Sequence, residues 1–179
     1  MALKATIYKV ELQISDMDRH YYHCHNLILA RHPSETDERL MVRILAFALN
    51  AHEQLQFTKG LSSDDEPELW QHNLSSEIEH WIDLGQLDEK RIRKACSRAD
   101  RVSVYTYQSG SANAWWPQIK NKLTRFNNLQ IIHLPDDASK SLADLCNRNI
   151  QLHCNIEDGE INLSDEQNSI HIKPVVWMR

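Results

Sequence analysis

Carboxylates are concentrated in one region of the chain. Asp64-Asp65-Glu66-Pro67-Glu68-Leu69-Trp70 is followed by Glu77-Ile78-Glu79-His80-Trp81-Ile82-Asp83-Leu84-Gly85, and then by the basic segment Lys90 to Arg101. Sorting alternate residues by face makes each acidic stretch a strand. Glu68, Trp70 and His72 share one side of the first, and Glu77, Glu79, Trp81 and Asp83 share one side of the second. A hairpin closed by Ser75-Ser76 as a two-residue loop predicts a register in which Leu74 faces Glu77, His72 faces Glu79, Trp70 faces Trp81 and Glu68 faces Asp83. Facing Cβ atoms lie roughly 5 Å apart, so Glu68 and Asp83 form a like-charge pair that needs an offsetting charge. A divalent cation would supply it, and in the metal-free protein Asp83→Asn should then relieve repulsion and stabilise the fold. Ser-Ser lacks the Asn-Gly turn signal, however, and a looser turn would leave the same carboxylates on a solvated face.

Two further groups stand near this cluster in the sequence pattern. Glu38 lies three, four and seven positions before Met41, Val42 and Leu45, which places a carboxylate on the apolar side of a helix. Either it has a role in a site or the first helical turn is exposed. Arg91, Lys94, Arg98 and Arg101 recur at helical spacing on one face, while Ile92, Ala95, Cys96 and Ala99 form the sheet-facing stripe. A basic ridge beside acidic residues suits a phosphate backbone lying close to metal-binding carboxylates; the alternative is a solvated face. Four phosphate contacts by this ridge would give a log-log salt slope of about −4 on duplex DNA.

The elements that must position these residues alternate. Val10, Leu12 and Ile14 alternate with polar residues, the turn-like Asp16–Arg19 follows, and a second β-rich run spans His20 to Ala30. His23 and His25 share a face of that run, which reads as an exposed strand face with no third ligand nearby. A helix is expected from Ser34, as N-cap, to about Gln56. After the acidic hairpin, Asp88 caps the basic helix. Val102–Tyr107, Ala112–Asn127 and Leu129–Leu134 then form a β-α-β unit with a parallel strand pair. Trp115 and Trp116 at helical spacing are expected in the core rather than stacking on bases. A helix over Asp136–Arg148 leads to a strand over Ile150–Ile156, a hairpin at Asp158-Gly159 and a strand over Glu160–Leu163. A last edge strand spans Ile170–Trp177, with Pro174 suited to an edge or bulge. The expected fold is α/β, one domain over residues 1–179, with a mixed central β-sheet flanked by helices.

Composition narrows the function classes. With 179 residues, 41% of them hydrophobic and 25% charged, the chain can bury a substantial core. A net charge of −5 excludes a protein coated in positive potential, so nucleic-acid binding would need a local patch. Cys24, Cys96, Cys146 and Cys154 show no CxxC spacing, and the start Met1-Ala2-Leu3-Lys4 lacks the apolar run of a signal peptide. A reduced, cytoplasmic protein is expected, with no membrane-spanning segment.

Arg31-His32-Pro33-Ser34-Glu35-Thr36-Asp37-Glu38-Arg39, Asp64-Asp65-Glu66-Pro67-Glu68, Trp81-Ile82-Asp83-Leu84-Gly85 and Arg93-Lys94-Ala95 together resemble the YaeQ family of bacterial proteins, over essentially the whole chain. The resemblance implies a PD-(D/E)XK nuclease-like core and a magnesium- or manganese-dependent phosphodiesterase acting on nucleic acid. Carried over residue by residue, Glu38 is the helix acid, Pro67-Glu68 the PD element with Glu for Asp, and Asp83-Leu84-Gly85 the (D/E)xK element. Gly85 stands where the lysine belongs, so Lys94, or else Lys90, would have to supply it. In that reading Glu68 and Asp83 hold the metal, Glu38 ligates or orients it through water, Lys94 steers the attacking water, and Arg91, Arg98 and Arg101 meet phosphates. The alternative implied by the departure at Gly85 is a catalytically inactive member of the same fold, serving as a regulatory or binding module.

Overall fold

The computed structural model describes residues 4–59 and 64–179. The chain is α/β with mixed sheets, and its strands divide into two sheets rather than one central one. These belong to two compact units, one comprising residues 1–48 and 137–174, the other residues 49–136 and 175–179.

In the first unit β1 (Thr6–Asp16) and β2 (Tyr21–Arg31) pair antiparallel along their whole length, and β8 (Asn149–Glu157) lies parallel to β1 on its other side. With β9 (Glu160–Ser164) and β10 (Ser169–Ile172) the order is β10-β9-β8-β1-β2. Strict alternation buries Tyr8, Val10, Leu12 and Ile14 together with Ile150, Leu152, Cys154 and Ile156. Helix α1 (Asp37–Asn50) starts later and stops earlier than its apolar spacing predicts. Thr36, not Ser34, caps it: its hydroxyl accepts from the Arg39 amide at 3.1 Å, while Ser34 is engaged with His32. Glu35 sits just ahead of the cap, buried, with its carboxylate held by Arg39 at 2.9 Å and Arg43 at 3.0 Å.

The second unit holds β3 (Leu55–Phe57), β4 (Leu69–His72), β5 (Ile78–Leu84), β6 (Ala99–Thr106), β7 (Leu129–His133) and β11 (Val175–Met178), in the order β11-β7-β6-β5-β4-β3. Residues 55–57, expected at the end of a helix, form its edge strand. Strands β5, β6 and β7 are parallel, connected by α2 (Glu89–Arg98) and α3 (Ser109–Leu123). Both helices cover one sheet face: Trp81, Val102, Val104, Leu129 and Ile131 meet Ile92, Ala95, Ile119 and Leu123 in one apolar cluster. A short helix α4 (Asp136–Ser141) and a 3₁₀ turn (Leu142–Leu145) replace the longer helix predicted after β7.

Residues 170–177, read from sequence as one strand, are two strands in two sheets. Pro174 divides them, because it lacks an amide hydrogen and holds Lys173 away from regular pairing. Among the described residues no helix is long and apolar enough to cross a membrane, and all four cysteines are free thiols.

The acidic hairpin reaches its predicted register by a different route. Asn73 pairs with Glu77 around a three-residue loop in which Ser76 adopts φ 65°, and the Asn73 side-chain oxygen accepts from the amides of Ser75 (2.8 Å) and Glu77 (3.0 Å). His72 therefore faces Ile78, not Glu79. A bulge at the next step restores Gln71 to His80, Trp70 to Trp81 and Leu69 to Ile82. Asn73→Ala should remove both turn acceptors and destabilise the protein by about 1 kcal/mol, measured by denaturant unfolding.

Candidate functional site

Asp83 and Glu68 lie at the carboxyl end of β5 and just before β4, and both are buried, 1% and 5% exposed. The Glu68 amide donates to the Ile82 carbonyl at 3.0 Å, which continues the hairpin register toward Asp83. The predicted juxtaposition of two carboxylate-bearing positions is thus present in the backbone. What neutralises them is not what the sequence suggested.

Both Asp83 carboxylate oxygens are occupied by donors. Arg91 donates Nε to Oδ2 and Nη2 to Oδ1, each at 2.9 Å, and the Trp81 indole donates to Oδ2 at 2.9 Å. Trp81 and Asp83 share a strand face because they are two residues apart, and Arg91 reaches that face because Asp88 fixes the start of α2. The Asp88 side chain accepts from the Arg91 amide at 2.7 Å, placing Arg91 in the first turn above the strand end. Hydrogen bonding to Asp83 pushes the Arg91 guanidinium above its usual range, and the charges of Asp83, Glu68 and Asp64 add to this. Arg91 is thus the cation of this cluster. Arg91, read from the sequence as a phosphate contact, here holds Asp83, so the carboxylate that Asp83→Asn would remove carries a cation of the protein's own.

The other residues of the predicted set each have partners of their own. Glu38, in α1 of the first unit, accepts from the buried Ser139 hydroxyl at 3.0 Å. Among the described residues no three His, Cys, Asp or Glu side chains form a group able to hold a metal ion. Lys94 is directed to the preceding loop, where it pairs with the exposed Asp65 carboxylate and lies 3.5 Å from the Asp64 carbonyl. Arg98 donates to the Asp65 carbonyl at 2.9 Å and stands over the Trp81 ring at 5.3 Å. Arg101 is not on the helix. It belongs to β6, opposite His80, and donates to His80 Nδ1 at 2.9 Å. Since a guanidinium only donates, His80 must be the Nε2–H tautomer, with that proton directed to Ser103 at 2.8 Å. Burial, reinforced by the Arg101 charge, pushes the His80 pKa down to about 3.

Gly85 has φ 91° and donates its amide to the Tyr105 carbonyl at 2.9 Å, while the space where a Cβ would stand is open. Backbone conformation rather than crowding disfavours a lysine there. His23 and His25 pack edge to face, 4.5 Å between centroids, and His25 also meets Tyr21 and Phe47. Trp115 donates to the Leu87 carbonyl at 2.8 Å, and Trp116 stacks on Trp177.

The whole-chain comparison agrees with this arrangement of elements. The family model described as YaeQ protein matches residues 1–174. This chain belongs to the YaeQ family. The YaeQ proteins of Escherichia coli (strain K12) and Salmonella typhi are each 45% identical over 179 residues, covering 100% of this chain and 99% of theirs. The crystal structure of the YaeQ protein from Xanthomonas axonopodis pv. citri superposes with TM-score 0.94 at 46% identity, covering 97% of this chain and 98% of that one. That of the YaeQ protein from Pseudomonas syringae also gives 0.94, at 34% identity and coverages of 98% and 97%. The relatives are bacterial, and the YaeQ fold extends over both units of the chain.

Sequence reasoning missed the role of Arg91. The available signals were the i, i+2 spacing of Trp81 and Asp83 and the Asp88 cap that fixes the first turn of α2. Arg91→Met should leave a buried carboxylate without its counter-charge and cost about 3 kcal/mol in chemical denaturation, with Arg91→Lys restoring only part of this. His80 gives a pH signature. Unfolded His titrates near 6.5 and folded His80 near 3, so its contribution is complete above pH 6.5 and declines as pH falls through the window between them. The difference in unfolding free energy between wild type and His80→Gln should change by up to about 1.4 kcal/mol per pH unit there.

Proposed function

We propose that this YaeQ protein is a relative of the PD-(D/E)XK nuclease-like fold without metal-dependent nuclease activity, and that it serves as a binding module for an anionic partner, nucleic acid being the test case. The observation that supports this is the occupation of Asp83 by Arg91 and Trp81. A magnesium ion needs hard oxygen ligands and several waters, and a fixed guanidinium cation on the same carboxylate opposes it both sterically and electrostatically. The donor set does not fit the metal that the fold family implies, so no hydrolytic step through a metal is assigned. In this reading Arg91 took over the neutralising role, and the departure at Gly85 belongs with the loss of catalysis.

The surface offered to a partner is the remainder of the α2 ridge. Lys90, Arg91 and Lys94, with Asp64 and Asp88, line an open cleft of about 280 Å³, and Arg98 continues along the helix. Arg91 is committed to Asp83 and Arg101 to His80, which leaves Lys94 and Arg98 as the predicted cations able to exchange partners. The exposed Lys94–Asp65 pair is weak enough to be displaced by a phosphate.

Nucleic-acid affinity should therefore depend on salt with a log-log slope near −2 on duplex DNA, and the combined Lys94→Ala and Arg98→Ala variant should abolish that dependence. Thermal melts with and without millimolar manganese at constant ionic strength should coincide, and single- and double-stranded DNA and RNA should survive incubation with magnesium or manganese. Metal-dependent cleavage that is lost in Glu68→Gln would overturn the reading in favour of a metal-dependent nuclease.

A further inference from the structure

On the helix-covered face of the second unit, the rows Val102-Val104-Thr106 of β6 and Leu129-Ile131-His133 of β7 run side by side, with Thr106 paired to His133 at the carboxyl ends. Both rows are apolar until that last position. There the side chains form a hydrogen-bonded chain: Thr106 donates to the Ile132 carbonyl at 3.5 Å and lies 2.9 Å from His133 Nδ1, and His133 Nε2 lies 3.1 Å from the Ser109 hydroxyl. In the tautomer protonated at Nδ1, the Thr106 oxygen accepts that proton while its own hydroxyl proton turns to the Ile132 carbonyl. The lone pair of Nε2 therefore faces the serine. Trp177 stacks on the imidazole, with centroids 4.4 Å apart at 13°, and fixes its plane.

The geometry points to Ser109 and His133 as a serine nucleophile and general base of a second, metal-independent site, whose substrate class is a small carboxylic ester or comparably activated acyl compound. Three features of the strand-to-helix turn suit this. Gln108 holds a left-handed backbone (φ 60°, ψ 76°), a strained conformation that presents Ser109 at the head of α3. Ser109 is partly exposed, while His133 is 6% exposed. The first intrahelical bond runs from the Ala112 amide to the Gln108 carbonyl, so the amides of Gly110 and Ser111 belong to the first turn of α3, beside Ser109, where an oxyanion could use such donors.

In the reaction the Ser109 oxygen bonds to the acyl carbon and its proton passes to His133 Nε2. That proton then goes to the alkoxide as the carbon–oxygen bond to the leaving alcohol breaks. Water, deprotonated at the same nitrogen, cleaves the acyl-serine and releases the carboxylic acid. Burial holds the His133 pKa below 6.5, so the imidazole is a free base at neutral pH. Asp136, which accepts from the Ser109 amide at 3.1 Å, is the charged group acting on it and favours the imidazolium formed during transfer; Thr106, Ser109 and Trp177 are neutral.

The test is covalent labelling of the full chain by a fluorophosphonate, in which the serine oxygen–phosphorus bond forms and fluoride leaves. Intact mass should show one adduct and peptide mapping should place it on Ser109. Ser109→Ala should prevent it, and His133→Gln should slow it roughly a hundredfold. The labelling rate should fall as pH drops through a value below 6.5, a dependence that a merely structural Ser–His bond would not produce. Thr106→Val, which removes the group fixing the tautomer, should slow labelling while the protein stays folded, and it carries the test if His133→Gln does not fold. No adduct, an adduct on another residue, or a rate indifferent to pH and to Thr106→Val would overturn the assignment.

Discussion

The second unit depends on a solved desolvation problem. Asp83 is almost wholly buried at the end of a central strand, and an isolated ionised carboxylate there is strongly disfavoured. Arg91 meets it with two parallel N–H donors while its remaining donors reach the Glu66 carbonyl at 3.0 Å and the Asp64 carbonyl at 3.5 Å. One guanidinium thereby ties β5, α2 and the loop before β4 together. A lysine could balance the charge but could not satisfy that fork geometry.

Backbone devices bring these groups to one level. The left-handed Ser76 and the bulge beyond His72 together absorb one residue, so the hairpin presents Glu68 beside Asp83. Gly85 turns the chain away two residues after Asp83, and Asp88 restarts it as a helix whose first turn overlooks the strand it has just left. The carboxyl ends of β5, β6 and β7 share one edge because these strands are parallel, and open α/β sheets place ligand chemistry at that edge. Asp83 and the Thr106–His133–Ser109 chain occur there, the latter closing two otherwise apolar rows.

Several arginines are spent on the protein's own structure. Arg39 and Arg43 hold Glu35, Arg91 holds Asp83, and Arg101 caps His80. A helical spacing rule detects that basic residues share a face but not which of them a neighbouring strand or loop has already engaged. Arg101 shows the limit: helical spacing continues through it in the sequence, yet α2 ends at Arg98 because Ala99 enters the parallel ladder with β5.

What the sequence determined by itself is what depends on local periodicity and on single-residue stereochemistry. Alternation in β1, the β-rich run of β2, the Asp88 cap, the β-α-β unit and the Trp70–Trp81 facing pair follow from such signals, as does YaeQ family membership, which whole-chain similarity then established. Tertiary structure decided the rest. Residues 170–177 satisfy a strand pattern equally well in one sheet or two, and only the pairing, β10 with its hairpin neighbour β9 and β11 with β7, which is distant in sequence, divides them. Buried beside one another, the carboxylates at positions 68 and 83 call for positive charge. Whether a metal or an arginine supplies it is a question of three-dimensional reach, and Arg91, eight residues beyond Asp83, arrives with two donors because the turn and the helix cap aim it there.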